Sequence, residues 1–431
     1  MKASVFYFDT CTIDTESGQV RYVYSTDAGH TFVHELRFDF RPHAATHELM
    51  PAAFSLGMAE LVHFWKAFLT PRVVVRAGAL SAGQIVFWET LYTKGLGEFF
   101  FKNNVDFRGL VSIESDPHAP VYSPTASITS PVALVPFGGG KDSLVTGELL
   151  QKNQRSFVWF ELEPLPFGKE LQSISGVSNS LQMGRDVSKN FAPVMELVRL
   201  GAPNGHVPIT ATYAFAAVLA AKASGLTDVV LSVERSANEG NTEYLGMEIN
   251  HQYAKSFEFE RALQQYVRTH IDPSIRIFSL LRPLYEIQII RIFTAYPKYF
   301  SHFVSCNRGL KSGMWCGTCA KCAFMFAGLS AFLAPDVVVT IFKKNLFEQA
   351  ELVSLYRDLV GLGDTKPFDC VGTFDENMLA LYLASKEYKK VREPLPLVLR
   401  KLPIETGNVH LPLLTATTDE HLIPEEYQRY I

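Results

Sequence analysis

The sequence is short of concentrated charge: its 431 residues carry a formal net charge of −4, with no dense block of Lys or Arg. Nucleic-acid binding, which needs a clustered basic face, is therefore not expected. Long hydrophobic runs are missing too. The longest apolar stretch, residues 322–334, stops at Pro335-Asp336 and is too short to span a bilayer. Residues 1–9 lack the long apolar centre of a signal peptide, so no membrane association and a soluble, cytoplasmic protein are expected. Cysteine is scarce, six in all, and without an export signal it points to metal or redox chemistry in a reducing compartment. What is plentiful is apolar: a hydrophobic content of 47% with 12% aromatics argues for large buried cores and excludes disorder. The length suggests roughly two or three domains.

Residues 1–125 read as a separate N-terminal α+β region. Aromatic and β-branched runs at 4–8, 20–24 and 32–38, punctuated by turn residues at 15–18 and 27–29, predict an antiparallel meander. Helices are expected near 52–68 and 81–94, and aromatics at helical spacing, such as Phe64 and Trp65, read as core. No catalytic motif occurs here, and the expected role is to shape a substrate cleft or a dimer contact. A stretch rich in Ser, Pro and Thr at 115–131 marks the boundary.

Beyond it the period changes. An apolar run at 132–135 reads as a buried strand, stops at Pro136, and passes through Gly138-Gly139-Gly140 into Lys141-Asp142-Ser143, which opens a helix. Glycines let the backbone come close, and unpaired N–H groups at a helix start face an anion. This layout binds phosphate, although its spacing is not that of a Walker A loop. It resembles the PP-loop S-G-G-x-D-S of N-type ATP pyrophosphatases, with Gly138 in the place usually held by Ser. That resemblance implies that Gly138, Gly139, Gly140, Lys141, Asp142 and Ser143 hold the pyrophosphate of ATP while AMP passes to a carboxylate or carbonyl oxygen. A second strand is expected at 157–161, and in PP-loop proteins its end, here Glu161, lies near the adenine. Polar, helix-forming sequence then runs through Arg185-Asp186, an Ala-rich helix covers 209–223, and a third strand covers 228–233. Strands alternating with helices predict an α/β fold with a doubly wound parallel sheet, whose ligands sit at the carboxyl ends of its strands.

That rule draws attention to 234–241 and 246–256, directly after the third strand. Their density of Arg, Asn, His, Gln and Lys suits recognition of carboxylates or phosphates, against the alternative of a solvated loop with an Asn or Ser helix cap. Arg235, Asn238, Asn241, His251 and Lys255 are the candidate substrate contacts. Further on, Cys306, Cys316, Cys319 and Cys322 form C-x9-C-x2-C-x2-C, a spacing that can close a tetrahedral zinc site, with Gly317 allowing the tight turn. An iron–sulfur cluster and four free thiols are the alternatives. The same arrangement closes the PP-loop domain of the 7-cyano-7-deazaguanine synthases, where it carries structural zinc. Arg308 and Lys321, set among these cysteines, are candidates to face nucleotide phosphates. Packing helices are expected at 337–342 and 346–359, and the Pro- and Leu-rich end of the chain is expected to wrap the surface. Cys370, preceded by Asp369, reads either as a buried apolar thiol or as a functional one.

Together, the phrases at 136–143, 236–241, 250–256 and 314–322 resemble the UDP-N-acetylmuramoyl-L-alanyl-L-glutamate epimerase (MurL) family in content, order and total length. The resemblance implies a PP-loop domain of the adenine nucleotide alpha hydrolase-like kind over 126–345, between the N-terminal region and a helical C-terminal region over 346–431. It implies a small-molecule substrate, a UDP-muramoyl dipeptide of peptidoglycan synthesis, whose terminal glutamate is inverted from L to D while ATP becomes AMP and pyrophosphate. The chemistry follows from first principles. A proton α to an ionised carboxylate is hard to remove, because the carbanion would lie beside a full negative charge. Joining AMP to that carboxylate removes the charge and makes the carbonyl an electron sink, so no pyridoxal cofactor is needed. ATP and Mg²⁺ are the expected cofactors, with Asp142 on magnesium and Lys141 adding a point charge, beside structural Zn²⁺ on the four cysteines. The epimerising acid and base should be neutral-range groups or a thiol on opposite faces of the α-carbon, and His251 and Cys370 are the candidates. Two other readings fit a PP-loop: an amidating or thiolating enzyme acting on a nucleobase or tRNA, and a non-catalytic nucleotide sensor.

Overall fold

The computed structural model describes residues 3–306, 308–363, 365–404 and 409–431. Its strands are β1 (Val5–Asp14), β2 (Gln19–Thr26), β3 (Thr31–Phe38), β4 (Arg72–Val75), β5 (Ile113–Ser115), β6 (Ala133–Pro136), β7 (Phe157–Leu162), β8 (Ser180–Arg185), β9 (Asp228–Leu231), β10 (Thr242–Tyr244), β11 (Met247–Ile249) and β12 (Arg276–Ser279). Ten of them form one sheet in the order β12-β9-β6-β7-β8-β3-β2-β1-β4-β5, and β10 pairs with β11 alone.

β1, β2 and β3 are the expected antiparallel meander, with Ile13 opposite Val20 and Tyr22 opposite His34. Alternation along β3 buries Phe32, His34, Leu36 and Phe38. The helix Thr46–Trp65 covers that face. Tyr22 and Tyr24 donate their hydroxyls to its Ala53 and Gly57 carbonyls at 3.0 and 2.8 Å, which satisfies their polar ends inside an apolar layer. The helix Ala82–Lys94 starts at Ser81, whose Oγ accepts from the Gln84 N–H while the Gln84 side chain accepts from the Ser81 N–H.

The strands β6, β7, β8, β9 and β12 are mutually parallel, as the βα alternation predicts. All but β8 are buried on both faces, and successive residues take opposite sides. Leu134, Phe160, Val229 and Ile277 face the helices Thr46–Trp65 and Ile209–Ser224. Ala133, Val135, Trp159, Val230 and Phe278 face a second core shared with Lys141–Lys152, Glu286–Phe293, Ala320–Ser330 and Phe374–Lys389. Two-sided burial is why β6 reads as an unbroken apolar run. Within the order β8-β7-β6-β9-β12 the chain leaves β6 toward one edge and returns to its other side as β9. A crevice therefore opens at the carboxyl ends of β6 and β9.

Three expectations are corrected. The polar stretch ending at Arg185-Asp186 is a short helix, Gly168–Ser175, followed by β8. Of the residues of β8 only Met183 is fully buried, so no hydrophobic period marks it. It exists because β7 and β3 pair with it on either side. Residues 346–359 are two 3₁₀ turns and then a helix, Val353–Leu359, because the Asn345 side chain accepts the Phe347 N–H and starts the first turn early. The end of the chain does more than wrap: Tyr427 is fully buried and donates its hydroxyl to Asp228 of β9 at 2.6 Å. Among the described residues no helix is long and apolar enough to cross a membrane.

Pairing of β8 with β3, Leu36 opposite Arg185 and Phe38 opposite Met183, makes the meander and the parallel strands one sheet. The seam is braced by a buried ion pair in which Arg185 Nη1 donates to both oxygens of Glu60, at 3.0 and 2.9 Å. Burial alone would raise the Glu60 carboxyl, but the Arg185 charge, helped by His34 and His63, outweighs it and holds the group well below its usual range. Replacing Arg185 by Ala strands that carboxylate, so a loss of about 3–5 kcal/mol is expected in denaturant unfolding at pH 7. Because the folded value is depressed, the pairing stabilises fully above the unfolded value of about 4.3 and is lost as pH falls below it. The gap between wild type and R185A should therefore narrow in acid, and a gap that stays constant to pH 3 would contradict this role for the pair.

Candidate active site

The turn after β6 is a glycine-lined cradle. Gly139 has φ +68°, and a Cβ there would meet Leu165 and Phe167 at 2.8 Å, so both conformation and space call for glycine. Gly140 is the N-cap of the helix Lys141–Lys152 and offers no side chain to cap it. The first N–H groups of this helix therefore lack a side-chain acceptor at the crevice, as an anion site requires. Ser143 Oγ donates back to the Gly140 carbonyl at 3.1 Å and stiffens the turn.

Lys141 does not point into open solvent. It is buried, with Nζ 2.5 Å from Asp142 Oδ1 and also bonded to Glu286 Oε2. Burial would lower its pKa, but Asp142, Glu286 and Glu234 together raise it and keep the ammonium charged. Asp142, Glu234 and Glu286 bring three carboxylate oxygens within 4.8 Å of one another, a grouping able to hold a metal ion. Glu234 follows β9 and Glu286 opens the helix Glu286–Phe293, so the group straddles the mouth of the crevice. Burial, with Asp142 and Glu234 adding to it, pushes the Glu286 carboxyl well up.

A second cluster adjoins the first. Lys255 Nζ lies 3.3 Å from Cys370 Sγ, and His251 hydrogen-bonds the same sulfur. The His251 Nδ1 is bonded in turn to Glu98 Oε2, which His206 Nδ1 also approaches at 3.3 Å. Burial would raise the Cys370 thiol, but Lys255, Lys321 and His251 outweigh it and bring it down to about 6. Burial would lower His251, yet its bonds to Cys370 and Glu98 raise it to about 9. His206 is kept neutral, driven down to about 3 by burial and by the His251 charge. The arrangement is a thiolate beside an imidazolium that a carboxylate orients, the pattern of an activated nucleophile or base. Lys255 links the clusters, since its charge is felt by Asp142 as well as by Cys370.

The other expected residues sit as follows. Glu161 ends β7 in a buried position, accepts from Gln182 Nε2 at 3.0 Å, and is held above its usual carboxylate range by burial. Arg235 stacks over the Tyr285 ring at 4.9 Å and donates to the Thr417 carbonyl. Asn238 accepts the Phe257 N–H at 2.8 Å and so helps Ser256 cap the helix Phe257–His270. Asn241 holds two loops together, donating to the Pro367 carbonyl at 2.9 Å and accepting the His251 N–H at 2.8 Å. Cys306 lies 3.7 Å from Cys319, Cys316 3.6 Å from Cys322 and Cys319 3.5 Å from Cys322, sulfur to sulfur. These four sulfurs form a site able to hold a metal ion. Gly317 has φ +66° within it, and the N–H groups of Gly309 and Gly317 donate to Cys306 and Cys322. Asn307, inside the same motif, lies outside the described residues, and Arg308 is exposed.

Sequence reasoning missed Glu98, His206, Glu234 and Glu286. Glu234 sits at the carboxyl end of β9 and was within reach of the same rule that singled out Arg235. Glu98 and Glu286 arrive from helices 153 residues before His251 and 145 after Lys141, and no local pattern marks them.

Comparison with known proteins places the chain in a family. Residues 1–280 match the MurL N-terminal domain and residues 302–405 the MurL C-terminal domain. Three relatives, each named UDP-N-acetyl-alpha-D-muramoyl-L-alanyl-L-glutamate epimerase, are 32% identical to the chain. The protein from Xanthomonas oryzae pv. oryzae aligns over 98% of this chain and 95% of its own. That from a Micromonospora species aligns over 90% and 88%, and that from Salinispora tropica over 76% and 71%. The chain belongs to the MurL family.

Proposed function

We propose that this enzyme is an epimerase that inverts the terminal L-glutamate of UDP-N-acetylmuramoyl-L-alanyl-L-glutamate in peptidoglycan synthesis, by way of an acyl-adenylate. Family membership supports the substrate and the inversion. The observation that carries the mechanism is the electrostatic link between two clusters through Lys255: an anion cradle with carboxylates on one side, and an activated thiol on the other. In this reading Gly138 to Ser143 hold the pyrophosphate portion of ATP by backbone N–H groups, and Lys141 keeps Asp142 and Glu286 in place. Asp142, Glu234 and Glu286 suit Mg²⁺ as a group of oxygen ligands; the ion would neutralise phosphate charge. Glu161 stays assigned to the adenine side. Arg235, Asn238 and Asn241 border the substrate, with Asn241 aligning His251.

Once the α-carboxyl is joined to AMP, its negative charge no longer opposes a carbanion at the neighbouring carbon. Cys370, with His251 and Glu98 behind it, handles the proton at that carbon, and Lys255 stabilises the thiolate form. The four-cysteine site is assigned to structural Zn²⁺. A tetrahedron with Zn–S bonds of about 2.3 Å has edges of roughly 3.8 Å, close to the observed sulfur separations. A cubane cluster would hold the thiolates farther apart. Amide donors to the sulfurs also favour the thiolate state that zinc requires.

Four outcomes follow. Asp142→Asn, which leaves Glu286 to pair with Lys141, should lose stability but still fold, and should release no AMP from ATP and the UDP-muramoyl dipeptide; full AMP release by this variant would overturn the placement of the nucleotide. Cys370→Ala should still form AMP while α-hydrogen exchange falls by about 10²–10⁴-fold, the usual weight of a general base. Unimpaired inversion in that variant would remove Cys370 from the chemistry. Wild-type exchange should follow a bell, losing rate as pH drops below about 6, where Cys370 gains a proton, and as it rises above about 9, where His251 loses one. For the metal, elemental analysis should find zinc without iron, and chelation should lower Tm. Purified protein holding neither metal would count against the knuckle.

A further inference from the structure

A groove of about 500 Å³ lies at the carboxyl edge of the parallel sheet, between the helices Thr46–Trp65 and Val187–Arg199. His63, Lys66, Arg185, Phe191, Met195 and Arg199 line it, and no carboxylate does. Its floor is Lys66, only 7% exposed. The Lys66 ammonium donates to the Gly205 carbonyl at 2.8 Å, and no carboxylate pairs with it among the described residues. A buried cation without a counter-charge is costly, and burial brings Lys66 down to about 8. One turn earlier on the same helix, the buried Nε2 of His63 makes no hydrogen bond among the described residues and lies 3.8 Å from Glu60 Oε2.

The other cations differ in availability. Arg185 is already bound to Glu60 and Glu163. Arg199 is paired with Glu196, but both are largely exposed, at 74% and 58%, so that bond exchanges readily with another anion. Along the rim, the half-buried Phe191 ring and the exposed Met195 side chain offer flat apolar surface. Gly205, bonded to Lys66, is followed by His206, whose ring lies 4.5 Å from that of His251. Residues 205 and 206 thus connect Lys66 of the groove to His251 of the Cys370 cluster.

We infer that this groove, separate from the glycine cradle, binds the nucleoside-diphosphate end of the substrate. Lys66 and Arg199 take the diphosphate, and Phe191 and Met195 pack against the nucleoside. An anion there supplies Lys66 with the counter-charge the fold withholds. The inference rests on the reading that the substrate carries UDP.

The test is calorimetric titration of UDP into the full-length protein, with the glycine cradle saturated by α,β-methylene-ATP. Wild type should bind UDP, and Lys66→Met and Arg199→Ala should each weaken binding by about tenfold or more, the loss of one charge-assisted contact. In steady state the same variants should raise KM for the UDP-muramoyl dipeptide and leave KM for ATP unchanged. Arg199 is exposed, so its variant keeps the fold even if Lys66→Met does not. UDP affinity unchanged in Arg199→Ala, or no UDP binding by a wild type that does epimerise, overturns the groove. A wild type that binds UDP but never inverts glutamate fails the proposed reaction and leaves the groove standing.

Discussion

Two ammonium groups, Lys141 buried and Lys255 half-buried, hold this site together. Lys141 is enclosed by Asp142 and Glu286, and Lys255 by Cys370, all where β6 and β9 end. A charge removed from water must be matched in place, and deleting one partner of such a pair costs about 3–5 kcal/mol. These lysines therefore fix the relative positions of segments far apart in sequence: the glycine turn, the loops after β9, the helix at Glu286 and the segment bearing Cys370. Arg282, itself buried, reinforces the arrangement by donating to the carbonyls of Glu234 and Lys255 while paired with Glu260. Groups held this way need little reorganisation during a reaction, which is where an enzyme gains most from electrostatics.

The cysteine knuckle belongs to the same design. Cys319 and Cys322 bracket Lys321 at the start of the helix Ala320–Ser330, and the charge of Lys321 acts on both Asp142 and Cys370. A metal held by the four sulfurs would do no chemistry on the substrate. It would fix the helix start, and with it a third cation between the glycine cradle and the thiol.

How much was legible in the sequence follows from how local each feature is. The glycine cradle at 138–143 and the cysteine knuckle at 306–322 are each made by one short stretch of chain, so their spacing shows in the chain itself. The meander was legible because one buried face imposes alternation. The strand β8 was not, since it is half-exposed and its identity comes from neighbours on both sides. His251 and Cys370 stood out singly, but their meeting depends on Asn241 tying the His251 loop to Pro367, and on Glu98 arriving from the N-terminal region. Asn238 shows the converse case: an Asn beside a helix start suits substrate recognition and capping equally, and the structure gives it a capping bond.

The central claim is that a nucleotide-masked carboxylate loses and regains its α-hydrogen within this crevice. The most direct measurement is turnover of the UDP-muramoyl dipeptide with ATP in D₂O, followed by acid hydrolysis of the product and chiral and mass analysis of its glutamate. The account predicts D-glutamate carrying one deuterium at the α-carbon, formed only when ATP is converted to AMP. AMP formation with glutamate left as unlabelled L-isomer, or inversion that proceeds without ATP, would contradict it.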